Sequence, residues 1–156
     1  MLLMAAEPID FMALEPLLLD RLRAALPAHV HVLAARDLAG LTEGTQLTPA
    51  VHVLYRDYRP GRAPASGWEE LDQLWLTVIA VRNVSTLSTN EAVRADAGPL
   101  MGAVIGALGG WRPDLRGYKP LSLDGAPAAG YRAGFGYFPL GWRAPMRVRA
   151  ACTGEP

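Results

Sequence analysis

Apolar residues recur at helical spacing near the start of the chain. Leu14, Leu18, Leu22 and the Ala25/Leu26 pair lie three or four positions apart, which puts them on one stripe of an α-helix. Asp10 stands where a cap before Phe11 would stand, whereas Pro16 suits the first turn and starts the regular part near Leu14. Pro27 ends it. The period then drops to two. Val30, Val32 and Ala34 alternate with His29, His31 and Leu33, and Val51, Val53 and Tyr55 alternate with His52, Leu54 and Arg56. Two strands are expected there, with a loop over Asp37–Thr48. Arg59-Pro60-Gly61-Arg62-Ala63-Pro64-Ala65-Ser66-Gly67 is dense in turn formers and predicts an exposed, mobile connector. From Leu71 to Val81 both faces are apolar in the middle, as in a central strand covered on both sides.

Ser88-Thr89-Asn90-Glu91 has the spacing of a capping box, in which hydroxyl and carboxylate satisfy the first free amides of a helix. The helix it opens carries Val93, Ala97, Leu100, Met101, Val104, Ile105 and Leu108. Pro99 is expected to kink it, and Gly109-Gly110 to end it. Short strands follow around Tyr118–Leu123, Tyr131–Tyr137 and Arg147–Ala150. Pro139 and Pro145 cannot donate ladder bonds and so predict bulges or an edge. The order α-β-β-β-α-β-β gives an α+β fold. It is a mainly antiparallel sheet of four to five strands with two amphipathic helices packed on one face. One domain spans 1–156, with its core over about 12–150 and flexible ends at 1–9 and 151–156.

Composition changes this picture in one respect. Hydrophobic residues make up 51% and charged residues only 19%, greasier than a free-standing domain, so a partner is expected to cover some surface. Net charge is zero, with 15 basic and 15 acidic side chains; a sequence-specific nucleic-acid binder carries a basic excess. The charge is unevenly placed. Residues 1–80 hold ten acidic and six basic groups, and residues 81–156 hold five acidic and nine basic groups. Halves that form different surfaces would let copies meet head to tail; scatter along the chain would give the same counts. Cys152 is the only cysteine, so no intrachain disulfide is possible. Met1–Ala6 lacks the basic start of a signal peptide. The longest apolar stretch, Ala97–Leu108, is too short to cross a bilayer, which takes about 20 residues.

Candidate chemistry is sparse. His29, His31 and His52 on neighbouring strands would make three imidazoles for a metal, but no Cys or carboxylate at ligand spacing completes the set. Glu69, Glu70 and Asp72 form an acidic cluster beside Arg62, better read as a solvated strand start than as a catalytic pair, which needs a dry pocket. Ser66 has no Gly-x-Ser-x-Gly elbow, Cys152 has no His nearby in sequence, and no phosphate-binding Gly-Lys-Ser/Thr occurs. Gly102 and Gly106 permit close helix packing. Trp68, Trp111, Trp142, Tyr118, Tyr131 and Tyr137 fall at element ends, many beside Arg or Gly. They either close the core or anchor an interface. No cofactor, no catalytic residue and no metal site is expected.

The pieces taken in order resemble a known family. A helix reads Leu-Leu-Asp-Arg-Leu-Arg-Ala-Ala-Leu-Pro (18–27), and strands read Pro-Ala-Val-His-Val-Leu-Tyr (49–55) and Leu-Trp-Leu-Thr-Val-Ile-Ala-Val-Arg-Asn (74–83). A capped helix ends in Gly-Gly-Trp-Arg-Pro (109–113), before Pro-Leu-Ser-Leu (120–123) and an aromatic, Gly-rich strand. Over about residues 12–150 this order resembles the tail terminator (tail completion) proteins of Mu-like and related tailed bacteriophages. The resemblance implies a non-enzymatic virion protein. Six copies would form a ring on the head-proximal end of the tail tube, stop its polymerisation and join the tail to the neck. Implied partners are its own copies, the tail tube protein, neck or head-tail connector proteins and possibly the sheath. No membrane is implied, though DNA would pass through the ring, and assembly would occur in the host cytoplasm. Expected contact residues are Arg59, Arg62, Trp68, Trp111, Arg112, Tyr137, Trp142 and Arg143. Another tail, neck or baseplate component is the alternative, with a small hydrolase or metal-binding enzyme more remote.

Overall fold

A computed structural model describes residues 9–42, 47–62 and 67–149. The elements run α1 (Leu14–Ala25), β1 (His31–Ala34), α2 (Leu38–Thr42), β2 (Ala50–Pro60), β3 (Trp68–Arg82), α3 (Glu91–Leu108), β4 (Ser122–Asp124), β5 (Gly130–Arg132) and β6 (Phe135–Arg149). The six strands form one sheet in the order β1-β2-β3-β6-β4, with β5 also on β6. Every pairing is antiparallel except β1 with β2. The α+β class stands, with six strands instead of four or five. Residues 1–8 and 151–156, expected to be flexible, lie outside the described residues, as do the tip of the Arg59–Gly67 connector and Ser66 and Cys152.

In α1, Leu14, Leu18 and Leu22 are buried, as their spacing predicts. Asp10 starts the turn by accepting the Met12 N–H at 2.9 Å. The Asp37–Thr48 stretch is not all loop. Asp37 Oδ1 accepts the Gly40 N–H at 2.6 Å and supports α2, which packs Leu38 and Leu41 on the sheet. Five residues are too few to show a period, so this helix escapes a pattern reading. At the start of α3 the cap is not the expected box. Asn90 adopts a left-handed conformation (φ 54°), which folds the chain back. Thr86, six residues upstream, then receives the Ala92 N–H on Oγ1 at 2.8 Å. The helix continues through Pro99, which lies on its exposed side, and stops at Gly109-Gly110, where Gly110 takes φ 73°.

The expected strands around 131–137 and 147–150 resolve into the hairpin β5–β6. In it, β6 runs unbroken for 15 residues against β3, from Trp68↔Arg149 to Arg82↔Phe135. Pro139 and Pro145 therefore sit inside an interior strand, without the predicted bulge. The reason lies in which way each residue's peptide groups point. Within a strand both groups of a residue face the same side, and the side alternates. The Pro145 carbonyl accepts from Lys119 N and the Arg147 N–H donates to the Gly117 carbonyl, so odd-numbered residues of β6 face away from β3. Both prolines are odd-numbered. Pro139 also falls between the residues paired with β5 (Phe135–Tyr137) and those paired with β4 (Gly141–Arg143). Neither proline removes a bond from the central ladder.

The two sheet faces are covered differently. On one, Val51, Val53, Trp75, Ile79 and Trp142 meet Leu14, Leu18 and Leu22 of α1 and Val104 and Leu108 of α3. Several buried polar groups there are paired, while the Tyr118 hydroxyl is buried without a partner. Gln73 Nε2 donates to the Phe11 carbonyl at 2.7 Å, Trp75 Nε1 to Gln73 Oε1 at 3.1 Å, and Trp142 Nε1 to Thr77 Oγ1 at 2.9 Å. On the other face Ala50, Leu54, Leu76, Val78, Ala80 and Tyr137 form a smaller core under α2.

Candidate assembly interface

β2 is buried from Ala50 to Leu54 and exposed from Arg56 onward. A register shift between Tyr55 and Asp57 admits Arg56 as an extra residue, the signature of a β-bulge. Beyond it, β2, the start of β3 and the end of β6 form a largely exposed three-stranded arm. The face of the arm opposite the helices is charged in columns. β6 contributes Arg143, Arg147 and Arg149, and β3 contributes Glu70 and Asp72, with Arg147 directly opposite Glu70 and Arg59 opposite Asp72. Arg59 reaches across to Asp124 at 3.2 Å, and Arg56 donates to the Gly125 carbonyl at 3.1 Å.

The expected contact residues divide sharply. Arg59, Arg62, Arg112 and Arg143 are exposed. Trp68 is half-buried, with the guanidinium of Arg147 4.7 Å and that of Arg149 6.0 Å from its ring centre. Trp111 is likewise half-buried, under Arg21 at 5.7 Å. Two expectations fail. Trp142, 1% exposed, and Tyr137, 3% exposed, are core residues of the protomer and present no surface to a partner. Their even and odd places on β6 send one to each buried face, which needs the register to see. Arg59, Arg62, Trp68 and Arg143 gather on the arm; Trp111 and Arg112 follow α3 and do not join them.

Two features lacked a sequence signal. The first is an apolar knob at the opposite end of β3 from the arm. Val84 and Leu87 are exposed and approach the β5–β6 turn, where an added Cβ at Gly134 (φ 82°) would meet Val84. The second involves His52. Its pairing in β2 carries it to the second sheet face, where it is 4% exposed and its buried Nε2 has no hydrogen-bond partner. Burial lowers its pKa from the usual 6.5. His29 lies before β1 and does not share its face, and among the described residues no three His, Cys, Asp or Glu side chains gather as a metal site. Instead His52 lines a cleft of about 600 Å³ together with Leu33–Asp37 and residues of α2. Glu69 and Glu70 are exposed on the arm.

The sequence from 4 to 152 matches the family model of the phage tail terminator protein. The chain belongs to that family. It is a structural protein of phage tails, and its family is one of virion components and not of enzymes. The Mu-like detail has no separate support. No curated protein sequence matches this tail terminator. Solved structures do: a chain of the virion of a native gene transfer agent particle superposes with a TM-score of 0.51 at 17% identity. The match covers 81% of this chain and 84% of that one. At that identity the likeness establishes the shared fold.

Proposed function

We propose that this tail terminator closes into a hexameric ring on the head-proximal end of the tail tube, ends tube growth and joins the tail to the neck. Family membership over nearly the whole chain is the observation that carries the reading. The similarly folded chain from a gene transfer agent virion supports a place in the particle. A closed ring needs two unlike patches on each subunit, and a sheet whose two edges differ, β1 on one side and β4 with β5 on the other, supports the reading. β1, β2 and β3 lie on one side of the sheet and come from the half with ten acidic and six basic residues. β6, β4 and β5 lie on the other and come from the half with five acidic and nine basic residues.

Termination is then a matter of shape. One rim of the ring repeats the tube's last ring, the other does not, and polymerisation stops. DNA passes through the opening without being read, and assembly takes place in the host cytoplasm. The arm, with Arg59, Arg62, Trp68 and Arg143, and the surface at Trp111 and Arg112 are the proposed contacts with the tube, the neck and, in a contractile tail, the sheath. Light scattering of the purified protein and electron microscopy with purified tail tubes test this. Rings of six capping one end of each tube are expected. Binding along tubes, or only at the distal end, would point to another tail or baseplate component.

A further inference from the structure

We propose that Asp57 and Pro60 close the free edge of the arm against strand addition, so that the arm meets other chains through its faces and cannot seed edge-to-edge growth of copies. β1 covers β2 only from Ala50 to Val53, and among the described residues no strand lies along the same edge of β2 from Arg56 to Pro60. Such an edge is ordinarily a template for another strand, because each outward residue offers an N–H and a C=O together. Hydrogen-bond directions identify the outward residues here. Gly61 N donates to the Glu70 carbonyl at 2.7 Å, and the register runs without a break from Asp57↔Leu74 to Pro60↔Leu71. Residues 57, 59 and 61 therefore face β3, and Tyr58 and Pro60 face outward.

Neither outward residue has a backbone hydrogen to give. The Tyr58 N–H donates to Asp57 Oδ1 at 2.7 Å, and proline has no N–H. This edge presents carbonyls alone. An incoming strand would set its own carbonyls against the Asp57 carboxylate and the Pro60 ring, and would lose the donors that half of its ladder needs. The register shift between Tyr55 and Asp57 also breaks the line between this edge and the part of β2 that carries β1, so one added strand could not follow both. The arm's other edge is closed by different means. The chain at 117–119 lies along β6, with Lys119 N on the Pro145 carbonyl and Arg147 N on the Gly117 carbonyl. What remains for contact is the side chains on the two faces. The closure belongs to the protomer and holds whether or not six copies form a ring.

The test uses the full chain with Asp57→Ala, alone and together with Pro60→Val, which restores the missing N–H. Amide hydrogen exchange in dilute protein reads the first step. Asp57→Ala should speed exchange of the Tyr58 amide about tenfold over wild type once intrinsic rates are corrected for; an unchanged rate would overturn the inference. Sedimentation velocity over a concentration series reads the second. The double variant is expected to grow into species larger than any the wild type forms, with the amides at positions 58 and 60 protected inside them. Asp57→Ala alone should do the same to a smaller extent, and it carries both measurements if the double variant does not fold. Glu70→Ala removes a charge from the same face of the arm and frees no outward N–H, so it should sediment as wild type does. No growth in either opened variant, growth that leaves those amides unprotected, or equal growth with Glu70→Ala would each overturn the inference. Wild-type protein that never forms rings would overturn the ring reading and leave this one standing.

Discussion

Trp142 and His52 both stand on strands inside the sheet, and each is at most a few per cent exposed. They face opposite ways. Trp142 points under α1 and α3, and its indole N–H is satisfied by Thr77. His52 points to the face that carries α2, and its Nε2 is buried there without a hydrogen-bond partner. The helix-covered face is thus the larger core that holds the protomer together, with Gln73, Trp75 and Trp142 paired and the Tyr118 hydroxyl its one buried side-chain group without a partner among the described residues. The other has a small apolar core, a cleft and a charged arm. For a protein whose work is assembly, this division separates folding from association.

The contrast can be broken most severely on the helix-covered face. Trp142→Ala should cost about 3–5 kcal/mol, the usual loss for a buried aromatic and the cavity it leaves, measured by denaturant unfolding of the monomer. A loss below about 1 kcal/mol would mean that this face is not the source of stability. Thr77→Val keeps the volume and removes the acceptor of the Trp142 N–H. The orphaned donor should cost about 1–3 kcal/mol, and a neutral result would show that the indole finds another partner.

His52 sharpens the comparison through pH. Its folded pKa lies below the usual 6.5 because burial disfavours the imidazolium, so as pH falls the unfolded chain takes up this proton first. The stability contributed by the neutral ring is fully present above about pH 6.5 and is lost as pH falls toward and below the folded value. The denaturation midpoint should therefore drop between pH 8 and pH 5. His52→Leu should flatten that slope; an unchanged slope would assign it to other groups. The smallest effect belongs to the arm. Arg59→Ala breaks a partly exposed ion pair with Asp124 and should change monomer stability by about 0–1 kcal/mol. If Arg59 is a contact, the same variant weakens ring or tube binding far more than it weakens the fold.

Much of the fold was legible because it depends on local periodicity. The Leu14, Leu18, Leu22 stripe, the two-faced apolar run of β3 and the stop at Gly109-Gly110 each state their element without reference to distant residues. For the proposed contact residues, the sequence foretold exposure only where the side chain is charged. Arg59, Arg62, Arg112 and Arg143 are exposed, as the cost of burying an unpaired guanidinium leads one to expect. Aromatic rings carry no such constraint. Trp142 and Trp68 look alike in sequence, but one is sealed in the core and the other lies half-buried under two arginines.

The sequence by itself determined the class of the fold, the two long helices, the long central strand and the family. The elements follow from hydrophobic period and turn residues, and the family from the match of residues 4–152 to its model. Tertiary structure alone decided that two prolines fit inside β6, that Thr86 and not Ser88 caps α3, and that the His52 Nε2 is buried without a hydrogen-bond partner. Each of these depends on which side of a strand or turn a group faces, and that is set by pairing with residues far away in the chain. A one-residue change of register would send every side chain of β6 to the other face and turn both prolines toward β3.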